Sequence, residues 1–156
     1  MKTVIRRLPV VRDRAHTIEP PDWAGPDGAK QVLIEEEDAE LRHAMGEALR
    51  RAGYRTAECE GPSHHHRGDC PLVTGTGCQA VDGADAVIQV LVTSDEPMNQ
   101  VRGALTGHHP ALPVVVFAPR PAVERRPDLV EGTRVDSGSL TRNGVVAAVM
   151  EAIGPP

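Results

Sequence analysis

The sequence predicts a three-layer α/β domain built on a parallel sheet of five strands. Short apolar runs of strand length alternate with helical patterns from residue 31 onward, which is the order a parallel sheet requires. One run, AVIQVLV at 86–92, is almost continuously apolar, as a strand covered on both faces must be. The clearest helical pattern, residues 38–53, lies between two such runs and makes a crossover unit, whose right-handedness leaves few topologies.

In chain order, residues 1–29 carry Pro9, Pro20, Pro21 and Pro26 among charges and show no sustained periodicity. They read as an N-terminal extension and linker before a domain at 30–156, with a short strand expected at 3–11. Two readings stand for this extension: a loose tail, or an arm that packs on a partner or a second subunit. Val32, Leu33 and Ile34 form the first strand. Asp38 is a good N-cap for the helix that follows, and Glu40 in its first turn complements the helix dipole. Leu41, Ala44, Met45, Ala48, Leu49 and Ala52 recur on one apolar stripe, and Gly53 supplies the stop after Arg50 and Arg51. Residues 54–59 make the second strand. Residues 61–83 carry no helical stripe and read as an irregular region in place of a second helix. Strand 86–92 is followed by a weak helix at 98–105 and a buried strand at 113–117. Pro127 interrupts 121–132, so no more than a short turn is expected there. A last strand falls at 133–136, and Thr141 caps a final helix whose face is Val145, Val146, Val149, Met150 and Ile153.

Composition narrows the function classes. With one Trp, one Tyr and one Phe, the core must be built from Val, Leu, Ile and Ala. A net charge of −5 gives no electrostatic ground for nucleic acid, which needs a concentrated basic surface. No apolar run approaches the roughly 20 residues that span a bilayer. The first twenty residues, MKTVIRRLPVVRDRAHTIEP, lack the apolar stretch of a signal peptide, so the expectation is a cytoplasmic chain.

With these elements placed, the chain resembles the receiver domain of two-component response regulators, a CheY-like, flavodoxin-like fold with strand order 2-1-3-4-5. The resemblance runs from residue 31 to 153. It is carried by VLIEEEDAELRHAMGEALRRAGY, and less strongly by DGADAVIQVL, ALPVVVFAPR and SLTRNGVVAAV. It implies phosphoryl transfer to an aspartate at the end of the third strand, with Mg²⁺ on an acidic pair and a Ser/Thr and a Lys on later strands. Glu36 and Glu37 match the acidic pair, but the acceptor position falls on Val90, the Ser/Thr position on Ala118 and the lysine position near Gly138. Valine cannot accept phosphate, alanine cannot hydrogen-bond it, and glycine cannot neutralise it. Asp95, a few residues beyond the strand, would lack those partners as a substitute acceptor. The acids at 35–38 then have two readings: a solvated helix cap, or a weak site for a divalent cation on Glu36 and Glu37.

The segment CEGPSHHHRGDCPLVTGTGC departs most from the receiver pattern. It holds all three cysteines, Cys59, Cys70 and Cys78, and the run His64, His65, His66. Thiolate and imidazole suit zinc, an iron–sulfur cluster or copper, although the gaps lack the short C-x₂₋₄-C knuckle of zinc fingers. Three readings stay open: cysteines incidental to the core, a metal site on the three cysteines with His64 or His66, and a redox pair of Cys70 with Cys78. No nucleophile elbow or phosphate loop is present, and no enzymatic activity is expected; a small enzyme on this scaffold would rest on fold analogy alone.

The sequence therefore points to a stand-alone pseudo-receiver, a protein-interaction module in signalling that works without phosphorylation. A metal- or redox-sensing regulator using the cysteine segment is the alternative. The resemblance implies a protein partner, a second copy included, meeting the surface that receivers use, which here falls within 119–153.

Overall fold

The computed structural model describes residues 21–62 and 70–156. The strand expected at 3–11 and the run His64, His65, His66 lie outside the described residues. The strands are β1 (Gln31–Glu35), β2 (Arg55–Cys59), β3 (Ala86–Val90), β4 (Val114–Phe117) and β5 (Arg134–Asp136). They pair in the order β2-β1-β3-β4-β5, every neighbour parallel, as expected. The helices are α1 (Ala39–Ala52), α2 (Pro71–Thr74), α3 (Gln79–Asp82), α4 (Glu96–His108), α5 (Arg120–Arg125) and α6 (Arg142–Ile153). None of the helices among the described residues is long and apolar enough to cross a membrane.

The sheet separates two apolar layers. On one side Val32, Ile34, Ile88, Val115 and Phe117 pack with Met45 and Leu49 of α1 and Val145 and Val149 of α6. On the other, Leu33, Val87, Val114 and Val116 pack with Leu72 of α2, Val81 of α3 and Met98, Val101 and Leu105 of α4. The alternation along each strand follows from the two-residue period of side chains on a pleated sheet.

Local chemistry sets the boundaries. Leu41 N donates to Asp38 Oδ1 at 2.8 Å, which caps α1, and Gly53 at φ +103° ends it with its N–H on Arg50 O. Thr141 Oγ1 accepts from Gly144 N and caps α6. Along α1, Ala44 of the expected stripe is exposed, and Gly46 is buried instead. A β-carbon on Gly46 would lie 2.7 Å from Glu58 Oε1 and 3.0 Å from Arg50 Nη1, so a side chain there would displace this ion pair across α1 and β2.

Three expectations need revision. Helix α4 runs from 96 to 108 rather than 98 to 105, because Asp95 accepts from Met98 N at 3.2 Å and starts it two residues earlier. The stretch 121–132 holds a helix, α5, and a 3₁₀ turn, Pro127–Val130. Pro121 lies in the first turn of α5 and Pro127 opens the next, where a missing N–H is harmless. The irregular region carries two single-turn helices, α2 and α3, whose N-cap positions are Cys70 and Cys78.

Candidate functional site

The carboxyl ends of β1 and β3 and the loop before α4 frame a cavity of about 290 Å³ lined by Glu36, Glu37, Val90, Val92, Ser94, Asp95 and Met98. Ligands of open parallel sheets bind at this end of the strands. Glu36 continues the sheet for one residue, its N–H donating to Cys59 O at 3.0 Å. Arg42 of α1 reaches back with Nη1 to Glu36 O at 2.6 Å and Glu37 O at 3.2 Å, and so fixes the acidic loop. The Glu36 carboxylate accepts from Asp38 N at 3.0 Å. Burial pushes its pKa up, with the charges of Asp38 and Glu37 adding to the rise against the Asp38 N–H and Arg42.

Val90, Ala118 and Gly138, where the resemblance implies an acceptor, a Ser/Thr and a Lys, carry no ionisable or hydroxyl side chain. Val90 ends β3 opposite Phe117 and places an isopropyl group at the cavity wall. Ala118 is buried with its methyl in the core layer of Leu72, Val81 and Met98, and its N–H donates to Asp136 O at 2.9 Å. Gly138 N donates to Asp136 Oδ1 at 2.7 Å. Asp95 is the one carboxylate of the cavity wall outside the acidic loop, and it is committed to capping α4. Glu36 and Glu37 are the residues that would hold a hard cation here. Among the described residues no group of three or more His, Cys, Asp and Glu side chains is arranged to hold a metal ion.

Beneath this cavity lies a buried polar chain that sequence reasoning missed. Gln89 Nε2 donates to Glu35 Oε2 at 2.6 Å, and Arg102 Nε of α4 donates to Gln89 Oε1 at 2.8 Å. Arg102 Nη1 continues to Asn99 Oδ1 at 2.8 Å and Leu129 O at 3.2 Å. Glu35, Gln89 and Arg102 are 3%, 0% and 2% exposed, so the chain runs through the core from β1 to the 3₁₀ turn. Burial pushes the Glu35 carboxyl up to about 7, against the hydrogen bond from Gln89 and the charge of Arg102. Burial also lowers the Arg102 pKa, opposed by Glu35 and Asp95. Only Gln89 left a signal in the sequence, as the one polar residue within the apolar run AVIQVLV; Glu35 merges with the acids that follow it and Arg102 with an ordinary helical pattern.

The three cysteines are free and partly buried, and all pack against the core layer that holds Leu72, Val81 and Met98. Burial pushes the Cys59 thiol up to about 12, with the nearby Glu35, Cys78 and Cys70 adding to it and the N–H of Gly61 opposing. Burial likewise raises Cys70. The fold thus brings the thiols into electrostatic reach of one another, and it favours the protonated form of Cys59 and Cys70. Reactive and metal-ligating cysteines are thiolates held at lowered pKa. His64 and His66, the expected co-ligands, lie outside the described residues.

No family model matches the chain, and no curated protein matches it in sequence. Solved structures do match in fold. A response regulator receiver protein from Sinorhizobium medicae is 16% identical with a TM-score of 0.58, covering 81% of this chain and 95% of its own. An orphan response regulator of H. pylori is 17% identical with a TM-score of 0.56, covering 82% and 99%. A response regulator from Thermotoga maritima, solved in complex with Mg²⁺ and a beryllium fluoride, is 14% identical with a TM-score of 0.57, covering 79% and 98%. At these identities the likeness is one of architecture: the chain has the CheY-like receiver fold.

Proposed function

We propose that this receiver-fold chain is a pseudo-receiver, a protein-interaction module of cytoplasmic signalling whose state does not depend on an acyl phosphate. The observation that carries the reading is Val90 at the carboxyl end of β3, on the wall of the acidic cavity where an acceptor carboxylate would stand. Ala118 and Gly138 support it, since phosphoryl transfer is catalysed by positioned charge and hydrogen bonds that these residues cannot supply. The acidic loop then serves as a rigid helix entry, fixed by Arg42 and Asp38. An interaction role draws support from Val135, Leu140 and Met150, large apolar side chains left 39%, 39% and 46% exposed within 119–153. The partner is a protein, and no reaction is assigned to the chain.

The test is incubation with acetyl phosphate and Mg²⁺, read by intact mass. The unmodified mass should persist. Stoichiometric phosphorylation that disappears in Asp95→Asn would overturn the reading.

A further inference from the structure

The outer edge of β2 is where the fold departs from a plain open sheet. An edge strand presents unpaired N–H and C=O groups and is a template for a further strand. Here the chain's own residues 23–25 occupy it. Ala24 N donates to Thr56 O and Thr56 N donates to Ala24 O, both at 2.9 Å, in an isolated antiparallel bridge. Arg55 Nη2 donates to Trp23 O at 3.3 Å, and Arg55 Nη1 lies 3.5 Å from Asp27 Oδ1. The Trp23 indole packs on the α2–α4 core layer and covers Gly83, where a β-carbon would sit 3.5 Å from Cζ2. Gly25 has φ +130°, and a side chain there would meet Tyr54 O at 2.7 Å, so only glycine permits this close approach.

The segment is built to fit, yet it is lightly held. One bridge pairs it with a five-residue strand, and Asp27 is 98% exposed, which leaves its ion pair with little worth. Arg55 Nε is buried and has no acceptor among the described residues, so the edge offers a donor that the segment does not use. The segment itself displays the chemistry that the edge selects: an extended, antiparallel backbone, an aromatic residue, a small residue opposite Thr56, then glycine.

We propose that the outer edge of β2 is a strand-docking surface for an extended peptide of aromatic–small–glycine character, kept closed in this state by residues 23–25 acting as a releasable strap. Recognition is by β-augmentation, with main-chain bonds supplying affinity and the aromatic notch supplying specificity. The surface goes beyond the pseudo-receiver reading, which phosphodonor labelling tests separately.

The probe is a fluorescein-labelled peptide of residues 19–29, EPPDWAGPDGA, added to the full chain and to its Trp23→Ala/Ala24→Pro variant. The variant removes the indole anchor and one of the two main-chain donors. Fluorescence anisotropy should show the peptide binding the variant at least about tenfold tighter than the parent, since a closed strap lowers apparent affinity by the fraction open. Equal binding to both proteins, or binding to neither, would overturn the proposal. So would a dimer of the variant that the peptide does not dissociate. Hydrogen exchange on the parent keeps the proposal testable should the variant fail to fold. The Thr56 amide should exchange faster than those of Leu33 and Val115, and slow when the peptide is in excess. Exchange of all three at one rate would mean that the strap leaves only with global unfolding.

Discussion

Glu35 occupies a strand position that a parallel sheet ordinarily fills with an apolar side chain, and its burial has a consequence that can be measured. Its folded pKa of about 7 lies above the 4.5 of an unperturbed glutamate, so the folded chain prefers the neutral acid. That contribution to stability is complete below the unfolded value and is lost as pH rises through about 7, with a ceiling of about 3 kcal/mol for a shift of this size. Glu35→Gln removes the titration. Relative to the parent, the variant should gain stability between about pH 5 and pH 9 in urea unfolding, and a pH-independent difference would refute the assignment. Cys59 gives a second residue-scale expectation. With its thiol pushed up to about 12, it should resist iodoacetamide at about pH 8 in the native state and react only as the chain opens. Alkylation of Cys59 at the rate of an unfolded-chain thiol would contradict the burial described above.

At the scale of elements, sequence legibility followed the physics of each signal. Helix α1 was readable because its cap, its apolar periodicity and its glycine stop agree with one another. The start of α6 was readable through Thr141, and Thr141→Ala should cost about 1 kcal/mol of stability, measurable as a lowered urea midpoint with an unchanged slope. No loss would mean that the cap hydrogen bond is unimportant. In 121–132 Pro127 does break the helix, as read; what the sequence hid is the six-residue α5 before it, which Pro121 in its first turn permits. The strap at 23–25 left no pattern, because a two-bond main-chain bridge to β2 depends on backbone proximity and not on side-chain period. The polar chain under α4 was hidden for a related reason. Glu35, Gln89 and Arg102 lie far apart in sequence and satisfy one another only once β1, β3 and α4 are packed.

For the molecule as a whole, the receiver fold and strand order were legible because alternating strands and helices admit few right-handed topologies. The candidate site was legible in part. Glu36, Glu37 and Val90 could be placed at strand ends and do line one cavity, whereas the convergence of three cysteines on one core layer became visible only in the fold. The receiver fold thus carries a cavity with Glu36, Glu37 and Asp95 on its wall and Val90 at the end of β3, which the proposed reading takes as a receiver site without an acceptor. The amide spectrum of the ¹⁵N-labelled chain, titrated with Mg²⁺ and beryllofluoride as a non-covalent phosphoryl mimic, probes the cavity directly. A pseudo-receiver should show no saturable shifts at Val90, Ala118 and Asp136 beyond those caused by Mg²⁺ alone. Saturable beryllofluoride-dependent shifts at these residues, spreading into α4 and β5, would contradict the proposed reading.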